Sequence, residues 1–298
     1  MPPRSATCRE PLPRRPDIVH GHGAKGGAYA RLARSFGIRV YTPHGGSLHY
    51  GRWTPQGMVY GAAERFLMRR TDLLLFESSF ARRTYETAIG TPSSIVRVVH
   101  NGVSAEEFRQ ADPGAGASDI VSIGELRHIK GIDVLIEAVA ELASSGRKLT
   151  ATIVGEGPDA QSLQHLAAQR GVTDAVRFAG YHPARQAFSF GRLLVVASRA
   201  VSLPYIVLEA AAAGIPMIAT RVGGIPEDFE TPELLVPPGN APALSRAIAG
   251  VLDDLPAAQA AAARLRERVR SLFSQDAMVD GVLAAYGEAI SAKFHRSH

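Results

Sequence analysis

The stretch Ser202-Leu-Pro-Tyr-Ile-Val-Leu-Glu-Ala-Ala-Ala-Ala-Gly-Ile-Pro-Met-Ile-Ala-Thr220 decides the fold of this chain. Pro204 suits the first turn of a helix, because its missing N–H would have no intrahelical partner there. A helix is therefore predicted from Tyr205 to Ala213, followed by a tight turn and a strand over residues 216–219. The glycines at 223 and 224 come next. The order of loop, helix, turn, strand and Gly-rich loop indicates a parallel α/β sheet.

The same stretch has groups that suit a ligand. The free backbone N–H groups of the first helical turn, at Tyr205 and Ile206, form a predicted anion site. Glu209 follows on the same short helix, where its carboxylate can accept two hydrogen bonds from a diol. A sugar nucleotide would be held with its diphosphate on the amides and its ribose on Glu209.

The pattern continues in both directions along the chain. Short β-branched runs alternate with longer amphipathic ones, which is typical of parallel sheets covered by helices. Strands are predicted over residues 18–20, 38–42, 72–77, 96–100, 120–123, 149–154, 176–179, 193–197 and 216–219. Helices are predicted over residues 24–36, 55–70, 80–88, 132–144, 160–170, 205–213, 241–252, 258–273 and 278–293.

Composition sets the outer limits. The chain has 298 residues, 46% of them hydrophobic, which is enough for two ordinary domains. Its single cysteine, Cys8, excludes internal disulfides and cysteine-rich zinc sites. The net charge is +5. The basic runs lack interleaved aromatics, so nucleic acid is not expected as a partner. They form either a solvated face or a surface for anionic lipid headgroups.

The sequence resembles the retaining, family 4 type glycosyltransferases of the GT-B fold. The resemblance covers nearly the whole chain and includes the stretch from Ser202 to Glu227. Five further motifs occur in the order typical of that family: Asp17–Gly23, Tyr41–Gly45, Val99–Val103, Gly124–Gly131 and Val154–Pro158.

The resemblance implies an α/β fold with two Rossmann-like, doubly wound domains facing a cleft. An irregular N-terminus is predicted over residues 1–16, an N-terminal, acceptor-side domain over 17–109 and a linker over 110–118. A nucleotide-sugar-binding domain is predicted over 119–275, and a C-terminal helix over 276–298 that packs back towards the first domain. The first predicted strand already contains a motif that lies several elements into the family's N-terminal domain. That domain is therefore expected to be incomplete.

The resemblance also implies the chemistry of the donor side. Lys130 is expected to bind the donor diphosphate and to stabilise the leaving phosphate, with a surface lysine as the alternative. Glu125 stands where many relatives have an arginine, so Arg127 is the candidate for a second positive charge. Many relatives have a second glutamate eight residues before Glu209. Here that residue is Val201, whose side chain cannot accept a hydrogen bond.

Other residues are assigned to the two sides of the cleft. His44 resembles the family's histidine beside the donor sugar, and a catalytic role is expected for it together with Lys130. His22 and Lys25 are predicted to line the acceptor side. Glycines allow backbone to approach a ligand closely, and the predicted donor-side loop glycines are Gly124, Gly155, Gly223 and Gly224.

The expected function is transfer of a sugar from a UDP- or GDP-sugar to a glycan or lipid-linked acceptor, with retention, in surface polysaccharide or glycolipid synthesis. The expected location is the cytoplasm, with peripheral contact at the inner face of the membrane. No cofactor is expected, and no metal either, because no Asp-x-Asp motif follows a strand. The His20-x-His22 pair has metal-ligand spacing but no evident third ligand. Two alternatives stay open: a weakly active or inactive remnant that binds nucleotide sugar or a partner, and a sugar-nucleotide 2-epimerase.

Overall fold

The computed structural model describes residues 16–34, 37–44, 54–202, 204–228 and 234–295. The chain forms two compact units. The first comprises residues up to Phe76, Arg82–Val98 and Gly281 onward; the second comprises Glu77–Ala81 and Val99–Asp280. The predicted irregular N-terminus lies almost wholly outside the described residues.

The first unit is built on a four-stranded parallel sheet. Its strands are β1 Ile18–His22, β2 Ile38–Thr42, β3 Leu73–Phe76 and β4 Ile95–Val98, and they lie in the order β1-β2-β3-β4. The helices that follow the first three strands are α1 Gly23–Leu32, α2 Pro55–Met68 and α3 Ser79–Ala88. The first three residues of α3 belong to the second unit.

A buried ion pair links the helices and the sheet of the first unit. The Arg31 guanidinium, which is fully buried, donates to both carboxylate oxygens of Glu64 at 2.8 and 3.0 Å. The hydroxyls of Tyr41 and Tyr85 donate to the same carboxylate. Burial and the Glu64 charge raise the pKa of Tyr41. Breaking a buried pair leaves an uncompensated charge, so this cluster stabilises the unit only while both partners are present.

The second unit is built on a six-stranded parallel sheet. Its strands are β5 Ser118–Ile123, β6 Ala151–Val154, β7 Val176–Gly180, β8 Gly191–Val196, β9 Met217–Thr220 and β10 Leu235–Val236. They lie in the order β10-β9-β8-β5-β6-β7. Its remaining helices are α4 Ile132–Ser144, α5 Ala160–Gln169, α6 Ala184–Ala187, α7 Tyr205–Ala212, α8 Ile225–Asp228, α9 Ala241–Asp253 and α10 Leu255–Leu272. The last helix, α11 Gln275–His295, contributes residues to both units.

Alternate residues of the central strands face two separate cores, as a sheet covered on both faces requires. Leu193 and Val195 of β8 pack in the core that includes α4 and α9, whereas Leu194 and Val196 pack in the core that includes α7 and α10. Side-chain caps fix two of these helices. Asn240 Oδ1 accepts from Ala243 N at the start of α9, and Asp254 Oδ1 accepts from Ala257 N at the start of α10.

Some element boundaries differ from the sequence prediction. The helix predicted over residues 24–36 ends at Leu32. Strand β10 has only two residues, too few to show periodicity, and was not predicted. The predicted linker loses its last residue, because Ser118 pairs with Gly191 and begins β5. The compact units also divide the chain elsewhere than the predicted domains: the first ends its central part at Val98, and residues from Gly281 onward belong to it.

Candidate functional site

The strand order of the second sheet creates a natural ligand crevice. From β5 the chain proceeds outward through β6 and β7, then returns to place β8 on the other side of β5. Ligands of open α/β sheets bind at such a switch point, outside the carboxyl ends of the strands. Two loops meet there: residues 124–131 after β5, and residues 197–202 after β8.

The loop after β5 places Lys130 at this edge. A short 3₁₀ turn, His128–Lys130, ends at Gly131, whose φ is +66°. A Cβ on Gly131 would lie 2.0 Å from the carbonyl oxygen of Ala197, so only glycine allows the two loops to meet. The aliphatic part of Lys130 lies beside Gly124. Within the described residues the Lys130 ammonium has no hydrogen bond or ion pair, and it is half-buried.

Arg127, predicted as a second cation, already has a partner. Its Nε donates to Glu125 Oε1 at 2.7 Å, and both side chains are more than half exposed. Exposed ion pairs contribute little to stability, so this pair can open for a ligand.

A residue that was not predicted, Arg199, fixes the Lys130 loop. Its guanidinium makes a two-pronged ion pair with Asp133 at 2.7 and 2.6 Å and donates to the carbonyl oxygen of His128 at 2.8 Å. Burial alone would raise the pKa of Asp133, but the hydrogen bonds and charge of Arg199 outweigh it and lower that pKa. The pair joins residues 66 positions apart, so no local sequence pattern could indicate it.

Helix α7 begins at the mouth of the same crevice. Pro204 is its N-cap, and no side chain of the described residues caps it. Val207 N donates to Pro204 O at 3.1 Å. The amides of Tyr205 and Ile206 precede it and have no intrahelical acceptor. The helix start therefore presents free donors and the positive end of its dipole.

Glu209 lies one turn further along α7. Its side chain is half-buried and has no hydrogen bond or ion pair within the described residues. Burial raises the pKa of Glu209, and the nearby charge of Glu107 raises it further. A half-buried carboxylate without a partner has spare acceptor capacity, as a diol ligand requires.

Three of the predicted loop glycines, Gly155, Gly223 and Gly224, are needed for close packing. Gly155 has φ +139°, and a Cβ there would lie 1.9 Å from the carbonyl oxygen of Gly124. Gly223 has φ +62°, and its Cβ would lie 2.0 Å from Val201 O. Gly224 N donates to Ser202 O at 2.6 Å. These backbone segments approach one another more closely than any side chain would permit.

The remaining predicted residues lie in the first unit. His44 follows β2, is exposed and has φ +51°, a conformation that non-glycine residues rarely adopt. A hydrogen bond of 3.0 Å joins His22 Nδ1 and His44 Nε2, and the two rings stack. Burial and the neighbouring His44 lower the pKa of His22. Lys25 is exposed in the first turn of α1.

His20 stands behind this pair. Its Nδ1 bonds the Tyr286 hydroxyl at 2.6 Å and its Nε2 bonds the Thr42 hydroxyl at 2.9 Å. Burial is the largest cause that lowers the pKa of His20, and the charges of His22 and His44 lower it further, to about 4. Both ring nitrogens are therefore engaged with hydroxyls. Among the described residues, no group of three or more His, Cys, Asp or Glu could hold a metal ion.

The structure thus divides the predicted site residues between the units. At the second sheet's switch point lie Gly124, Arg127, Lys130 and Gly155 on the β5 side, and Tyr205, Ile206, Glu209, Gly223 and Gly224 on the α7 side. His22, Lys25 and His44 lie in the first unit. The roles of these residues stay predictions.

Two family models match the chain. Residues 2–107 match "Glycosyltransferase Family 4", and residues 117–254 match "Glycosyl transferases group 1". Together the matches span most of the chain. The chain belongs to the group 1, family 4 type glycosyltransferases. The fold expected from the motifs, two Rossmann-like α/β units of the GT-B type, is confirmed.

Relatives with known activities share moderate identity. A glycogen synthase of Mycobacterium tuberculosis is 28% identical over 288 residues, covering 91% of this chain and 69% of that protein. The 2-deoxystreptamine glucosyltransferase of Streptomyces kanamyceticus is 30% identical over 210 residues, covering 65% of this chain and 54% of that protein.

Solved structures agree on the fold. The sucrose-phosphate synthase of Thermosynechococcus elongatus superposes with a TM-score of 0.79 at 24% identity, covering 93% of this chain and 74% of that chain. Anabaena HepE in complex with UDP superposes with a TM-score of 0.80 at 18% identity, covering 91% of this chain and 79% of that chain. At these identities the likeness concerns the fold alone.

Proposed function

We propose that this chain transfers a sugar from a UDP- or GDP-sugar to a glycan or lipid-linked acceptor, with retention of the anomeric configuration. The observation that supports this most is the arrangement at the switch point of the second sheet. Lys130 follows β5, and the uncapped amides of α7 and Glu209 follow the neighbouring strand β8. Within the described residues, neither the lysine nor the half-buried carboxylate has a hydrogen bond or ion pair. This set matches the diphosphate and ribose of a nucleotide sugar, and the similar structure of Anabaena HepE is a complex with UDP.

In the proposed mechanism, the diphosphate departs while the acceptor hydroxyl attacks from the same face. Lys130, the Tyr205 and Ile206 amides and the α7 dipole stabilise the charge that develops on the leaving phosphate. The leaving phosphate itself accepts the proton of the acceptor hydroxyl. His44 orients the donor sugar, with its ring held by His22.

Because no Asp-x-Asp motif follows a strand, and Lys130 and the α7 amides are available to the diphosphate, we propose that no divalent metal or other cofactor is needed. The rate of sugar transfer from the donor should then be unchanged by EDTA. A rate that falls with EDTA and returns with Mg²⁺ or Mn²⁺ would contradict this part of the proposal.

We propose that the protein binds its acceptor at an anionic membrane surface on the cytoplasmic side. The described residues include no helix both long and apolar enough to cross a bilayer. In the first unit, helix α2 exposes Met58, Val59 and Phe66, and the Arg70 guanidinium lies 4.7 Å from the Phe66 ring centre. Apolar side chains beside cations suit lipid headgroups. Co-sedimentation with phosphatidylglycerol vesicles but not with phosphatidylcholine vesicles would support this contact.

The direct test is turnover. The purified chain is incubated with a panel of UDP- and GDP-sugars, with and without glycan and glycolipid acceptors, and nucleotide release is measured. We expect release from one donor, lost in Lys130→Ala, and a product whose anomeric proton coupling in NMR matches that of the donor.

Two other results would change the proposal. An inverted product would refute retention. Nucleotide binding without release from any donor would favour the alternative, a nucleotide-sugar-binding protein without transferase activity.

A further inference from the structure

A buried carboxylate lies against the loop before α7. Glu77 directly follows β3, belongs to the second unit and is 3% exposed. The Ser202 hydroxyl donates a hydrogen bond to Glu77 Oε1. The two residues are 125 positions apart in the sequence. Glu77 therefore anchors the loop that leads into the start of α7.

The anchored loop also holds the Gly223–Gly224 turn. Ser202 O accepts from Gly224 N at 2.6 Å. A Cβ on Gly224 would lie 2.9 Å from Ser202 O and 3.1 Å from Ser78 Cβ. The Glu77–Ser78 segment, the Ser202 loop and the glycine turn are thus packed together, so the Ser202 hydroxyl has a defined position.

The Glu77 carboxylate is unusual for a purely structural group. Its Oε2 is buried and has no hydrogen-bond partner within the described residues. Leaving a buried acceptor unsatisfied costs free energy, and such atoms in folded proteins call for an explanation. Among the described residues, Glu77 accepts a hydrogen bond from Ser202 alone, and that serine is itself only half-buried.

The negative charge of Glu77 also reaches the predicted diphosphate site. Burial raises the pKa of Tyr205, and the charges of Glu209 and Glu77 raise it further. Tyr205 is the first residue of α7. In a nucleotide sugar the ribose and the sugar lie on opposite sides of the diphosphate. With Glu209 assigned to the ribose, the Ser202 hydroxyl and Glu77 are left for the sugar.

We propose that Glu77 is a positioning residue for the donor sugar and acts through Ser202. By accepting a hydrogen bond from the Ser202 hydroxyl, Glu77 turns the lone pairs of Ser202 Oγ outward, where they accept a hydrogen bond from a hydroxyl of the donor sugar. Many relatives have a glutamate where this chain has Val201, the residue before Ser202. The Val201 side chain cannot accept a hydrogen bond, and in this proposal Ser202 and Glu77 supply the missing acceptor. This inference rests on the proposed function.

The test uses four probes in two pairs: UDP with UDP-glucose, and GDP with GDP-mannose. Each pair compares a free nucleotide with the corresponding nucleotide sugar. Titration calorimetry gives the Kd of each for wild type, Glu77→Ala, Ser202→Ala and the double variant. Ser79→Ala, at the first residue of α3 and two positions after Glu77, is the matched control. We expect the variants to weaken the nucleotide sugar by roughly 5- to 10-fold, the effect of one hydrogen bond, and the free nucleotide by less than about twofold. The double variant should lose no more than either single variant.

A second measurement guards against unfolding. If Glu77→Ala lowers the melting temperature sharply, Glu77→Gln is measured in its place. The glutamine amide oxygen still accepts a hydrogen bond from Ser202. Glu77→Gln should therefore keep most of the wild-type affinity for the nucleotide sugar. Equal weakening of nucleotide and nucleotide sugar, or additive losses in the double variant, would overturn the inference while leaving the proposed function intact. Failure of wild type to bind any of the four probes would overturn the proposed function, and this inference with it.

Discussion

The pH dependence of nucleotide binding should be set by Glu209 and tuned by Glu107. Burial and the Glu107 charge raise the pKa of the Glu209 carboxyl above its ordinary value. If the ionised carboxylate accepts hydrogen bonds from the ribose diol, binding is strongest above that raised pKa. It weakens as the pH falls through it, because the protonated group is a poorer acceptor. Replacing Glu107 by glutamine removes one cause of the raised pKa, so the loss of affinity should move to lower pH.

The size of the effect follows from the kind of bond. A hydrogen bond to a charged group contributes about 1.5–3 kcal/mol, which corresponds to roughly 10- to 150-fold in Kd. As the pH falls through the raised pKa of Glu209, the affinity of wild type for UDP should fall by this factor. Glu209→Ala should show the reduced affinity at every pH. The second phosphate proton of UDP titrates at about pH 6, but this contribution is the same for all variants and cancels in the comparison.

The assay is titration calorimetry of UDP at a series of pH values for wild type, Glu107→Gln and Glu106→Gln. Glu106 is the matched control, because it lies with Glu107 in the 3₁₀ turn Ala105–Phe108, is exposed and is not a cause of the raised pKa of Glu209. A second control is 2′,3′-dideoxy-UDP, which lacks the diol. Superimposable profiles for wild type and Glu107→Gln, or the same pH dependence with the dideoxy compound, would refute the reasoning.

Three further predictions concern other parts of the two units. Lys130→Ala should lower the transfer rate by about 10²–10³-fold, the usual cost of removing a donor that stabilises developing negative charge. Gly155→Ala should lower the free energy of unfolding by more than about 1–3 kcal/mol, because the added Cβ meets the Gly124 carbonyl at 1.9 Å in addition to the strain of φ +139°. Glu64→Ala should lower it by about 3–5 kcal/mol, because Arg31 is left buried without its counter-charge.

Matched controls separate these effects from general damage. Lys148→Ala removes an exposed lysine of the second unit and should leave the rate unchanged. Gly146→Ala introduces strain at φ +87° without any contact within 4 Å, so it should cost less than Gly155→Ala. Glu137→Ala breaks an exposed pair with Arg170 and should cost no more than about 1 kcal/mol in urea denaturation. Equal effects of a variant and its control would contradict the corresponding prediction.

Much of the second unit could be predicted from local patterns. The helix that follows Pro204 was predicted to begin at Tyr205, and it does. Turn glycines at 124, 155 and 223 were predicted from motif position, and each has positive φ. These features depend on a few neighbouring residues, because backbone conformation and capping are local properties.

Features set by contacts distant in sequence could not be predicted. The strand order that creates the switch point depends on which strands pair, which no single strand encodes. The ion pair between Arg199 and Asp133 and the contact between Glu77 and Ser202 each join residues from separate elements. In the sequence, Glu77 is one acidic residue after a hydrophobic strand, and only its burial against Ser202 distinguishes it.

The central claim is that the switch point of the second unit binds a nucleoside diphosphate, with the diphosphate at α7 and Lys130 and the ribose at Glu209. The most direct test is calorimetric titration of wild type and Glu209→Ala with UDP and with GDP. We expect saturable binding of one of the two nucleotides by wild type, weakened at least about tenfold in the variant. Absence of binding by a well-folded wild-type chain, or equal binding by the variant, would contradict it.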